Sequence, residues 1–223
     1  MKYYTGVPVT NDISIAPAES SARGSVKTDD ASIVLHNIYT RRSVRSYQPD
    51  AIPDEVLREI IKAGTYAPTA VNMQPWRFVV IKGKERIQRY GEIARRLWLE
   101  KNGDATNEHL KDLTRMMANE NFKVFYGAPA LILVFADPSA FSPVQDCSLA
   151  AENMMLAGKA LGLGSCWIGL ATTLGSDEEF LKEIGVTPDY KLVAPLVFGY
   201  PKKENLKSPD RKSDVILKWL NDA

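Results

Sequence analysis

The sequence is short of the residues that build most covalent and metal-based sites. Two cysteines, Cys147 and Cys166, cannot make a disulfide framework or a multi-cysteine zinc or iron–sulfur centre. Two histidines, His36 and His109, exclude an HExxH motif and any three-histidine metal centre. An excess of one charge is missing as well: 28 Lys and Arg against 27 Asp and Glu leave a formal net charge of +1. Nucleic-acid binding by counterion release needs surplus basic charge, so no nucleic-acid partner is expected. The longest apolar run, around 128–136 and interrupted by Pro129, falls well short of the ~20 residues that span a bilayer, so no membrane partner is expected. The start of the chain, MKYYTGVPVTNDISIAPAES, carries Pro, Asn and Asp where a secretion signal has a continuous apolar stretch. A reducing, cytoplasmic setting is the expectation.

What is present fits a soluble α+β protein: 223 residues, 45% hydrophobic and 25% charged. Residues 1–30 are polar and without periodicity, and read as an extended arm; residues 31–223 read as a single domain. Asp29 or Asp30 caps a first helix carrying Ile33, Val34 and Ile38. A basic, irregular segment follows at 41–53, then a helix that starts at Pro53 and must end before Pro68. Strands are expected at 76–81 (WRFVVI), 130–136 (ALILVFA) and 192–198 (LVAPLVF), with a glycine-flanked strand or loop at 164–170. Helices are expected at 84–101, about 106–117, 143–161 and 176–184. The 143–161 helix is apolar almost all round, which places it at the centre of the fold or at a subunit interface. The short apolar tail at 214–220 reads as one more strand or helix docked on something.

Three segments carry candidate chemistry. In RRSVR, an extended backbone turns Arg41, Ser43 and Arg45 to one side and Arg42 to the other, so two guanidiniums and a hydroxyl surround one anion. The same cluster also suits a solvated basic corner after a helix. Lys202, Lys203, Lys207, Arg211 and Lys212 form a basic stretch able to close a phosphate from the other side. Between Pro68 and Pro75, Thr69, Asn72 and Gln74 offer hydroxyl and amide groups suited to a planar heteroaromatic ring, or simply to turn chemistry. GLGSCWIG at 162–169 holds Trp167 where a dinucleotide fingerprint needs glycine, and follows a helix instead of a strand. It is a glycine-rich turn, serving either close ligand approach or tight packing. Cys166 has no partner base in the sequence, and Cys147 reads as core.

In this order, RRSVRSY (41–47), APTAVNMQPWRFVVI (67–81), GAPALILVFAD (127–137), GLGSCWIG (162–169) and VFGYPK (197–202) resemble the FMN-dependent nitroreductase family over residues 31–220. The resemblance implies that fold: a mixed sheet flanked by helices, working as an obligate homodimer with two flavins at the interface. It implies that Arg41, Ser43, Arg45 and Arg211 hold the FMN phosphate and ribityl chain, with contacts from Arg42. Pro68, Thr69, Ala70, Asn72 and Gln74 face the flavin, several of them from the partner subunit. Ser165, Cys166, Trp167, Ile168 and Gly169 line the ring. The implied activity is ping-pong oxidation of NADH or NADPH and reduction of a small electron-poor acceptor such as a nitroaromatic or quinone, with no catalytic side chain. Relatives of this fold dehalogenate halotyrosines, with a lid that the 84–122 region would supply, or fragment FMN. A non-catalytic anion-binding protein is the reading from outside the family. Lys212 stands where many relatives have proline.

Overall fold

An unbroken apolar run such as 130–136 needs cover on both sides of its strand, and both sides are covered. The computed structural model describes residues 28–104, 106–203 and 206–220; the expected arm lies outside them as far as residue 27. Four strands, β1 (Trp76–Lys82), β2 (Ala130–Ala136), β3 (Gly164–Trp167) and β4 (Lys191–Gly199), form one sheet in the order β1-β2-β4-β3. Each pair of these strands is antiparallel. The parallel component is a single bridge between Ser43 and Ser165.

Side chains alternate across a strand, and β2 divides the core accordingly. Ile132 and Val134 join Leu57, Ile60, Trp76, Met154 and Phe198 on one face; Leu131, Leu133 and Phe135 join Ile87, Tyr90, Leu174 and Phe180 on the other. The first face is covered by α2 (Asp54–Thr65) and α5 (Pro143–Ala160). The second is covered by α3 (Lys84–Asn102), α6 (Glu178–Ile184) and a 3-10 helix over Gly169–Ser176 that the sequence did not announce. All seven residues of β2 are fully inaccessible, and each large aliphatic or aromatic side chain among them contributes about 1.5–3 kcal/mol.

Helix ends follow local chemistry. Pro53 sits immediately before α2, and Pro143 occupies the first position of α5, where its missing N–H costs nothing. The Asn107 side chain caps α4 (Glu108–Ala118), accepting from the His109 and Leu110 N–H groups at 2.9 and 3.3 Å. Asp177 caps α6 through the Phe180 N–H at 2.8 Å.

One expectation is met in its first alternative, and one changes. α5 lies at the centre of the fold, held by α2 and the sheet, which cover most of its apolar circumference and leave Leu149 exposed. The 214–220 tail forms no helix or strand: Val215, Ile216, Leu217, Trp219 and Leu220 are all exposed, because these apolar side chains pack on no face among the described residues. α1 (Thr28–Thr40) also takes in residues 28–30. Ile33, Val34, Leu35, Ile38 and Tyr39 on it remain 44–67% exposed. Among the described residues no helix is long and apolar enough to cross a membrane.

Candidate active site

The basic segment after α1 is stitched to the sheet at both ends. Val44 N–H donates to the Ser165 carbonyl (2.9 Å), Gln48 N–H donates to Tyr200 O (2.8 Å), and Lys202 N–H donates to Ser46 O (3.0 Å). Tyr47 bridges Pro201, just beyond β4. Gly164 makes the close approach to β3 feasible, because a Cβ there would fall 2.5 Å from Val44 Cγ2. In the sequence the glycine-rich turn had two uses, and at Gly164 the use is packing.

This stitching brings the 41–46 and 203–211 segments together. Arg41, Ser43 and Arg45 line a cavity of about 590 Å³ opposite Lys203, Lys207 and Arg211. No acidic residue lines it among the described residues. Arg41 Nε stands 3.3 Å from Glu152 Oε1 of α5, an ion pair without hydrogen-bond geometry, so that N–H is buried and uncommitted. Arg42 lines the same cavity, against the alternation expected of an extended segment. Its Nη1 donates to Tyr39 O (2.6 Å) and Arg41 O (2.7 Å), neutralising the carbonyl end of α1.

The 165–169 segment presents backbone more than side chains. Ser165, Cys166 and Ile168 are 2–5% exposed, and Trp167 is half-buried. Ile168 N–H donates to Pro195 O at 2.8 Å. Beyond Gly169 the space is open, since a Cβ built there meets nothing within 4 Å. Burial pushes the Cys166 thiol up, with Arg45 and Ser43 pulling partly back. It is therefore a packed thiol, not a thiolate nucleophile. Burial and the Asp146 carboxylate push Cys147 up to about 12. His36 and His109 are exposed on helix faces.

The third segment lies elsewhere. None of Pro68, Thr69, Ala70, Asn72 or Gln74 lines the basic cavity. They form a tight loop around a 3-10 turn at Ala70–Asn72, with left-handed backbone at Val71 (φ 44°), Asn72 (57°) and Gln74 (50°). Such geometry costs about 1–2 kcal/mol for a residue that is not Gly, Asn or Asp. The loop is held by its own polar groups: Gln74 N–H donates to Thr69 Oγ1 (3.3 Å), and Gln74 Nε2 donates to Asn72 Oδ1 (3.1 Å). It is also latched to α5. Ala70 N–H donates to both carboxylate oxygens of Asp146, at 3.2 and 3.3 Å, and Asp146 is 4% exposed. Sequence reasoning missed Asp146, although an acidic residue inside an apolar helix was the available signal. Among the described residues, no cluster of three or more His, Cys, Asp or Glu is arranged to hold a metal ion.

The candidate residues thus fall in two separate places: a basic cavity lined by 41–46 beside 165–169, and a strained polar loop at 68–74. Comparison with known proteins gives this arrangement a family. The Nitroreductase family pattern matches residues 38–200. A protein of Archaeoglobus fulgidus, provisionally named an NADH dehydrogenase/NAD(P)H nitroreductase, is 33% identical over 175 residues, covering 76% of this chain and 86% of that one. The iodotyrosine deiodinase of Thermotoga neapolitana is 30% identical over 182 residues, covering 80% and 93%. The crystal structure of a nitroreductase with bound FMN from Bacteroides fragilis superposes with a TM-score of 0.72 at 30% identity, covering 83% of this chain and 98% of that chain. With matched residues spanning most of its length, the chain belongs to the nitroreductase family.

Proposed function

We propose that this chain binds FMN and uses it to oxidise NADH or NADPH and reduce a small electron-poor acceptor, such as a nitroaromatic or quinone, by a ping-pong cycle. The observation that carries the reading is the basic cavity, where guanidinium and ammonium groups of the 41–45 and 203–211 segments surround one space with no acidic residue in its lining among the described residues, Glu152 pairing with Arg41 from behind it. The donor set suits a phosphate ester. Arg41 Nε and Arg42 Nε are buried without hydrogen-bond partners, and Ser43 lines the cavity with Arg41 and Arg45. Arg41, Ser43, Arg45 and Arg211 would hold the phosphate and ribityl chain, with Arg42 fixing the end of α1 beside them. Each charge-assisted hydrogen bond contributes about 1.5–3 kcal/mol.

Ser165, Cys166, Trp167, Ile168 and Gly169 would line the ring, chiefly through backbone groups, since Ser165 and Cys166 are buried. Pro68, Thr69, Ala70, Asn72 and Gln74 would cover the ring of a flavin held by the partner subunit. The separation of this loop from the basic cavity supports that assignment, as do the exposed apolar residues of α1 and of the 215–220 tail, which a second copy would cover. Bound FMN supplies the capacity to accept a hydride and release its electrons, so the side chains need only bind, orient and exclude water. Two free, buried cysteines are consistent with a cytoplasmic setting.

The test is anaerobic spectroscopy of the purified protein. A yellow chain that retains FMN, bleaches with NADH or NADPH and recovers its colour with a nitroaromatic supports the reading. A colourless chain that takes up no FMN overturns it. The deiodinase relative favours a second acceptor class, halogenated tyrosine. Iodide release from 3-iodo-L-tyrosine by the reduced protein, without turnover of nitroaromatics or quinones, would establish that alternative.

A further inference from the structure

Four described residues other than glycine adopt left-handed backbone; three lie in the 68–74 loop, and the fourth is Tyr126, at φ 53°. Tyr126 lies in the turn leading to β2, is followed by Gly127 at φ 67°, and its N–H donates to Lys123 O at 2.8 Å. An aromatic residue there is strained, and strain kept in place points to a task for the side chain. The ring is fixed edge-on by Phe122, with centroids 5.7 Å apart and planes at 84°. The Arg45 guanidinium lies over that ring, 6.0 Å from its centroid.

We propose that Tyr126 is a positioning residue for Arg45, a platform that aims the guanidinium into the basic cavity. This rests on the FMN reading of that cavity. Arg45 is solvent-exposed and makes no ion pair among the described residues; its side-chain neighbours include the packed Cys166 thiol and Tyr126, and of these Tyr126 offers it an aromatic face. A guanidinium packed over an aromatic face keeps its planar N–H fork free for an anion. Tyr47, the other nearby phenol, is committed, since its hydroxyl donates to Val44 O at 2.5 Å. Burial pushes the Tyr126 phenol up, against the pull of Arg45, so it stays neutral and does not compete with phosphate.

The experiment measures dissociation constants for FMN and for riboflavin, which lacks the phosphate, in the full-length protein. Tyr126→Asn removes the ring while suiting left-handed backbone, and Tyr126→Phe keeps the ring. Tyr126→Asn is expected to weaken FMN roughly two- to fivefold, the effect of losing one cation–π contact, and to leave riboflavin unchanged. Tyr126→Phe is expected to match wild type, and Tyr126→Asn to add nothing in an Arg45→Ala background. Unchanged FMN affinity in Tyr126→Asn, equal weakening of both flavins, or a persisting effect without Arg45 overturns the proposal. In each of those cases normal FMN binding by wild type leaves the cofactor reading standing. Failure of wild type to bind either flavin overturns both.

Discussion

Replacing Asp146 with alanine separates what the buried carboxylate does for the fold from what it does for the site. It removes the acceptor for Ala70 N–H, a charge-assisted hydrogen bond with a net contribution of about 1.5–3 kcal/mol. Against that loss stands relief of the loop. Val71 and Gln74 hold left-handed backbone at about 1–2 kcal/mol each, while Asn72 tolerates it. Released, the loop relaxes and recovers much of that strain, so the net destabilisation should stay below about 2 kcal/mol. For a chain of this size that lowers Tm by less than about 8 °C. Flavin binding must then re-impose the strained geometry, which weakens FMN on the order of ten- to a hundredfold. Thermal melts beside FMN titration of Asp146→Ala and Asp146→Asn check both numbers, with the asparagine variant intermediate because it keeps an acceptor oxygen. A Tm drop at unchanged FMN affinity would refute the reasoning and reduce Asp146 to a packing residue.

Gly164→Ala places a Cβ 2.5 Å from Val44 Cγ2 and should cost about 1–3 kcal/mol of overpacking. Because the strain falls on the 41–48 segment, FMN affinity should fall together with Tm, and adding Val44→Ala should restore both. Glu183 joins α6 to α3 by accepting from Arg89 and, at 2.7 Å, from the Tyr90 hydroxyl; these bonds hold its carboxyl below the usual range. A depressed carboxylate contributes stability above the unfolded value of about 4.3 and loses it as pH falls through the folded one. Melts of wild type and Glu183→Gln should therefore differ at pH 6 and converge toward pH 3; a constant gap would contradict this. Neither cysteine should react rapidly with a thiol reagent at pH 8 in the native protein, because burial raises both. Rapid native labelling of Cys147, as fast as after denaturation, would show that the core around β2 and α5 opens.

Much of the fold is legible because its punctuation is chemical. Proline and glycine bound the strands at 76–82, 130–136 and 191–199, and the all-apolar character of 130–136 already implied cover on two faces. The grouping of Arg41, Ser43 and Arg45 was readable from strand geometry, but Arg42 joins the same lining, because its Nη1 folds back onto Tyr39 O and Arg41 O instead of alternating outward. What escaped depends on long-range contacts. Asp146 reads as one charge on a buried helix until its partner, Ala70, is known to be adjacent across 76 positions of sequence. The 3-10 helix at Gly169–Ser176 has no apolar period of its own and takes its shape from packing on α3 and β4. The 214–220 tail has the composition of a docked element, but composition does not say which surface receives it, and none among the described residues does.

The measurement closest to the centre of the matter is the ratio of riboflavin to FMN dissociation constants in wild type and in Arg41→Ala and Arg45→Ala. A phosphate clamped by several guanidiniums, at about 1.5–3 kcal/mol each, should make that ratio a hundred or more in wild type. Each substitution should lower it roughly ten- to a hundredfold while Tm changes little. A wild-type ratio near one, or a ratio that survives both substitutions, would contradict the assignment of the basic cavity to the cofactor.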